Sequence, residues 1–209
     1  MPNSNRIAEL QQELLALRIS DWHEKVFSFQ WFFIIFLLIV PWVIWWKLVN
    51  RKYIAEILSF GLLTAITASI LNEIFLNLQF WRAPYSLAPV PPRWFAPAYS
   101  LLPVTFMLIY QYFQTWRSFT IATIVIAGIS AFAFQPILSW MGIMILIKWN
   151  YFYSFLTFIA AGLGVRLLHQ AIIQTETTIE NVKTIAEIKN QPGLSSPALK
   201  RMISKIKGD

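Results

Sequence analysis

The chain has 209 residues, 57% hydrophobic and only 13% charged, where soluble domains carry about 25% charged residues. Its apolar residues fall in long runs, which excludes an ordinary soluble fold and implies an all-α, polytopic transmembrane helical bundle of about five spans. A formal net charge of +7 then reads as basic residues flanking spans at anionic headgroups rather than as a nucleic-acid footprint, and the lack of Cys excludes disulfides, Cys-ligated metal and thiol catalysis.

Residues 1–26 form the first segment. Over residues 5–26 an amphipathic helix outside the bilayer is predicted, because Ile7, Leu10, Leu14 and Leu17 recur at three- and four-residue steps while Glu9, Glu13, Arg18, Asp21 and Glu24 take other positions. Such a helix lies on the membrane surface or the bundle, or pairs with a protein partner or a second copy. The apolar run that follows ends in Trp42, Trp45 and Trp46 without a small-residue cleavage site, so it is expected to be retained as a span.

The bundle is expected over residues 27–168. Span one, Phe27 to Trp46, is about 20 uncharged residues, or ~30 Å of helix, with Pro41 near its end and the basic stop Lys47, Arg51 and Lys52 after it. Span two, Tyr53 to Phe75, places Gly61, Ala65, Ala68 and Asn72 on one inward face, with Leu62, Leu63 and Ile70 nearer lipid. Residues 76–100 hold Pro84, Pro89, Pro91, Pro92 and Pro97 among aromatics, Arg82 and Arg93, and read as an outer loop, interfacial or partly re-entrant. Span three is expected from Leu101 to Phe113, and span four from Phe119 to Ile137 with Ala127, Ala131 and Gln135 four apart. Leu138 to Lys148 either extends span four or lies along the interface. Span five runs from Tyr151 to Leu168 with Ala160, Ala161, Gly162 and Gly164.

Residues 169–209 are a helical tail, broken at Pro192-Gly193. Its last helix sets Leu199, Met202, Ile203 and Ile206 against Lys200, Arg201, Lys205 and Lys207, a basic amphipathic end suited to an anionic leaflet. Basic residues also orient the chain. With the N-terminus outside, Lys47, Arg51, Lys52, Arg117 and every basic residue from Arg166 onward fall on the inner side, so the N-terminus is placed outside and the C-terminus in the cytoplasm.

Glycine-rich phosphate loops, His-Glu-x-x-His and Gly-x-Ser-x-Gly do not occur. The two histidines, His23 and His169, lie near opposite ends of the spanning region and read as interfacial. No enzyme activity, catalytic residue, cofactor or metal is therefore expected. Polar groups inside the membrane are the better lead, since burial there is costly. Glu56 is one turn from Lys52 and reads as its salt-bridge partner. Asn72, Glu73 and Asn77 lie near the outer end of span two, beside the loop that carries Arg82 and Arg93, and Gln135 sits deep in span four. Pairing of Glu73 with one of those arginines would pin the loop. The other reading is a polar vestibule for an ion or solute.

Trp45-Trp46-Lys47-Leu48-Val49-Asn50-Arg51-Lys52, Leu101-Leu102-Pro103-Val104-Thr105, Tyr110-Gln111-Tyr112-Phe113 and the segment from Trp149 to Phe155 resemble an uncharacterised family of small five-span integral membrane proteins from spore-forming bacteria. The resemblance covers roughly residues 40–168 and implies five spans, a bacterial cell membrane and a link to sporulation or envelope biology, without an activity. At Asn72 and Gln135 the chain departs from the acids common in that family, which weakens a proton relay, because amides do not titrate. The expected role is a structural or interaction component of the membrane, with membrane lipids as partners. The alternative is a small-solute or ion conduit with an outer-facing polar site.

The tail yields a direct test. A peptide of residues 195–209 should bind anionic vesicles with up to ~1 kcal/mol per basic residue and release as salt rises. Equal binding to neutral vesicles would remove the electrostatic part.

Overall fold

The computed structural model describes residues 2–89 and 95–189, and is all-α apart from one two-stranded ladder. Residues up to Val165 form one compact unit and those from Arg166 a second. The helices in chain order are α1 (Pro2–Lys25), α2 (Phe29–Leu48), α3 (Ile54–Asn77), α4 (Leu102–Tyr112), α5 (Trp116–Ile129), α6 (Gln135–Trp140) and α7 (Tyr151–Lys189). The strands are β1 (Trp81–Arg82) and β2 (Ile145–Leu146). Four stretches are long and apolar enough to cross a membrane: Phe29–Leu48, Arg51–Asn77, Trp116–Trp140 and Tyr151–Glu176. The protein is thus a helical membrane protein.

Polar residues at the ends of the apolar runs start the helices. Ser28 Oγ accepts from the Trp31 amide at the head of α2 (3.3 Å), Thr115 Oγ1 from Ser118 ahead of α5 (3.2 Å), and Asn150 Oδ1 from Tyr153 ahead of α7 (2.9 Å). Small residues fix which faces pack. Gly61, Thr64 and Ala68 are buried on α3 while Leu62, Ile66 and Ile70 face outward. Ala127, Ala131 and Gln135 are all buried, as their four-residue spacing predicts. Leu63 differs from expectation: it packs on the core of Phe60, Phe106 and Phe119 rather than facing lipid.

The expected third span is a shorter element. A five-residue π-helical turn, Pro97–Leu101, leads into the eleven-residue α4. With the helical Phe95 and Ala96 ahead of them they reach about 27 Å at helical rise, against ~30 Å of hydrocarbon. Ser100 Oγ donates to the Leu38 carbonyl (2.7 Å) and Trp42 Nε1 to the Tyr99 carbonyl (3.2 Å), so this element begins beside the middle of α2. It ends level with the end of α2, where Gln111 accepts from the Asn50 amide (2.8 Å) and donates to the Leu48 carbonyl (3.0 Å).

The remaining depth beside α2 is filled by a cap. β1 pairs antiparallel with β2, Trp81 opposite Leu146 and Arg82 opposite Ile145. The Ile147 and Lys148 amides both donate to the Phe80 carbonyl. Trp81, Ala96, Ile143 and Met144 are buried in one cluster with Ile34 and Leu37 of α2, Leu76 of α3 and Leu138 of α6. The segment after span four extends the helix as far as Trp140, and Gly142, at φ +73°, then turns it back into the ladder. The end of α1 meets the same cap, where Trp22 Nε1 donates to the Leu87 carbonyl (3.1 Å) and Lys25 lies 5.5 Å from the Tyr85 ring centroid. The leucine-rich stripe of α1 is exposed.

In the second unit α7 continues to Lys189. There Arg166 and His169 are buried, whereas His23 on α1 is exposed. The basic amphipathic end at Lys200, Arg201, Lys205 and Lys207 lies outside the described residues.

The glycines rank by what surrounds them. A Cβ on Gly162 would overlap the Phe106 ring and come within 3.1 Å of Thr123 Cγ2, one on Gly61 would meet the Met107 thioether, and one on Gly164 would meet nothing within 4 Å. Gly162→Ala should therefore lower stability by ~1–3 kcal/mol through overpacking. Gly61→Ala should cost less, because a Met side chain yields, and Gly164→Ala should be neutral or stabilising. Thermal unfolding in detergent checks the order; equal melting of the Gly162 and Gly164 variants would contradict this packing.

Candidate functional site

Two prolines inside apolar helices shape the site. Pro103 and Pro136 each lack an N–H and crowd the carbonyl four residues back. Each follows a π-helical turn, Pro97–Leu101 ahead of Pro103 and Ser130–Phe134 ahead of Pro136. Such turns widen a helix locally and recur at functional sites. The Tyr99 carbonyl, deprived of its ordinary helical donor by Pro103, takes the Trp42 indole instead.

Both widened turns line one partly open cavity of about 270 Å³, together with residues of α3, α4, α5 with its extension, and the first part of α7. Its wall is mostly apolar and aromatic, with Asn72, Gln135, Thr67, Thr105 and Ser154 among the polar members. Gln135 is 9% exposed and its Oε1 has no hydrogen-bond partner. Trp81, from β1, lines the same cavity at 6% exposure with its Nε1 unbonded. Trp149 stacks on Phe80 (4.8–4.9 Å from Phe75 and Phe80) and donates its Nε1 to Ser154 Oγ (2.9 Å).

The cavity gathers Asn72 and Gln135 from the expected polar set and leaves the others outside. Glu73 is half-buried, Asn77 and Arg82 are exposed, and none of the three lines the cavity. No ion pair joins Glu73 to Arg82 among the described residues. The ladder explains this: successive strand residues face opposite ways, so burying Trp81 turns Arg82 outward. Arg93 lies outside the described residues. Glu56 has a different partner from the one expected, since Tyr110 Oη donates to its Oε1 (2.5 Å) while Lys52 sits 5.3 Å from the Tyr53 ring centroid. Lys47, Arg51 and Lys52 are exposed around the end of α2, with Arg51 5.9 Å from the Trp46 ring centroid. That arrangement suits cations at headgroup depth. No group of three His, Asp or Glu among the described residues could hold a metal.

Sequence reasoning found Gln135 and Asn72 but not Trp81 or Trp149, which arrive through long-range strand pairing. The available signal was Pro103 and Pro136 within apolar runs.

An unmet amide oxygen in a dry wall costs ~1–3 kcal/mol. Gln135→Leu, of similar size, should thus raise thermal stability of the ligand-free protein in detergent. A loss of more than ~1 kcal/mol would mean that the amide is satisfied. No protein-family model, no curated protein and no solved structure matches this chain.

Proposed function

We propose that the chain is a structural or interaction component of the bacterial cell membrane, with its N-terminus outside, its C-terminus in the cytoplasm and no enzymatic activity. The observation that carries this reading is the uncharged wall of the cavity: among the described residues lining it there is no Asp, Glu, Lys, Arg or His. An ion pathway needs charged groups or dense polar groups to replace hydration. An interaction component needs a place within the bundle that receives an uncharged molecule, and surfaces for lipid or protein outside it. The exposed stripe of α1 serves the second purpose, toward a protein partner or a second copy.

Side-to-side contacts support the alternation that five crossings require. The end of α1, the loop after α3 and the loop after α6 meet in one cap, while the end of α2 and the end of α4 meet through Gln111. The basic cluster at Lys47, Arg51 and Lys52 supports a cytoplasmic second side by the positive-inside rule. The motif resemblance supports a place among five-span proteins of spore-forming bacteria and a role in sporulation or the envelope. A small-solute conduit is the second reading, favoured by Asn72 and Gln135 sharing one cavity.

Two measurements separate these readings. Reporter fusions after Arg51 and Lys189 should read cytoplasm and one near Arg93 exterior; a cytoplasmic reading near Arg93 would reverse the orientation. Liposomes holding the purified protein should leak neither potassium nor small neutral solutes above empty vesicles, and flux abolished by Gln135→Leu would establish the conduit.

A further inference from the structure

We infer that α1 is a self-association arm, whose exposed leucine stripe pairs in parallel with α1 of a second copy of this chain. The inference deepens the proposed interaction role by naming the partner of α1, and rests on that reading for the membrane setting. Residues 3–17 are all exposed, and the helix meets the cap near its end, through Trp22 and Lys25. Burying the stripe against a partner would remove that apolar surface from water.

The spacing of the stripe fits a helical partner. In heptad terms Ile7 and Leu14 take the a positions, and Leu10 and Leu17 the d positions. All four are exposed. Leu15 and Ile19 belong to a different side, aligned by four- and three-residue steps with Trp22, whose indole bonds the cap. The seam stops at Leu17, because the next two seam positions are Asp21 and Glu24, whose carboxylates would face their own copies.

Charge selects the partner and its direction. Helices that lie on anionic headgroups are rich in Lys and Arg. In α1, Arg6, Arg18 and Lys25 stand against Glu9, Glu13, Asp21 and Glu24, so a lipid surface is the poorer cover. Arg6 pairs with Glu9 (3.3 Å) and Lys25 with Asp21 (2.6 Å) within the helix. Glu13 and Arg18 flank the seam on opposite sides, at positions g and e, and make no ion pair among the described residues. In a parallel, in-register pair, g of one helix meets the e five residues on in the other. Glu13 of each copy then faces Arg18 of the other, twice by symmetry. An antiparallel pair brings g to g instead, and with Ile7 opposite Leu17 it sets Glu13 beside Glu13. Four seam positions are few for free helices, but confinement to one bilayer raises the effective concentration of the arms.

The chain has no Cys, so single cysteines can be placed in the full-length protein and oxidised in proteoliposomes at low protein density. Leu10→Cys and Leu17→Cys should each form disulfide dimers with their own kind, and Gln12→Cys, on the outer side of α1, should not. Energy transfer between fluorophores on the C-terminus then reads the charge pair. Glu13→Arg should weaken dimerisation about tenfold, since two attractive contacts become repulsive. The Glu13→Arg/Arg18→Glu double variant should recover it. Thermal melting of each variant checks that the bundle is folded. Dimers formed by Leu10→Cys only when mixed with Leu14→Cys, equal cross-linking at Gln12, or a double variant as weak as Glu13→Arg would each overturn the proposal. So would quenching of a Leu10 label by lipid-borne nitroxide, which would place the stripe on the bilayer. None of these outcomes alters the flux or reporter-fusion results, so failure here is distinct from failure of the proposed function.

Discussion

Inside a bilayer every backbone N–H and C=O must find its partner within the protein. That constraint explains most of what is unusual in this chain, because Pro41, Pro103 and Pro136 each break the helical ladder in an apolar segment. The protein answers in two ways. At Pro103 and Pro136 the preceding turn widens into π geometry. Near Pro41 and Pro103, α2 and the short third element exchange side-chain bonds, the Ser100 hydroxyl to Leu38 and the Trp42 indole to Tyr99. Those bonds fix where the third element starts, and so require something else to fill the depth above it.

The cap is that filler. Its irregular backbone is admissible at membrane depth because it is paired in the ladder and covered by protein: Trp81 and Ala96 are buried against α2, α3 and α6. The cavity lies where cap, widened turns and α7 meet, and its two unmet polar groups come from different sources. Gln135 is delivered by the helix that Pro136 perturbs, and Trp81 by the ladder. A wall without charge among the described residues is poorly suited to ions.

Much of the bundle was legible in the sequence because its signals are local. Long apolar runs located α2, α3, the α5–α6 stretch and α7, and the three- and four-residue steps over Gly61–Ala68 and Ala127–Gln135 identified inward faces. The absence of a regular helix over residues 81–89 followed from the prolines there. What escaped depends on distant pairs. Nothing near Trp81 reveals that it opposes Leu146, and that pairing turns Arg82 away from Glu73. Likewise Tyr110, not the adjacent Lys52, reaches Glu56, because α4 packs along α3. Of the expected site, Asn72 and Gln135 survive as neighbours of one cavity, since depth and helical face are local properties. Ion pairing across a loop is not.

The central claim is that the third element starts at mid-depth under a protein cap. Phe95 heads that element and lines a small void with Ile34 and Leu37. The chain has no Cys, so single spin labels can be placed at Phe95, Phe36 and Phe29, all exposed, and their depth read from oxygen against nickel-chelate accessibility in bilayers. The label at Phe95 should match the depth at Phe36 and lie well below that at Phe29. A Phe95 label at the headgroup depth of Phe29 would mean a full-length third span, and would contradict the account.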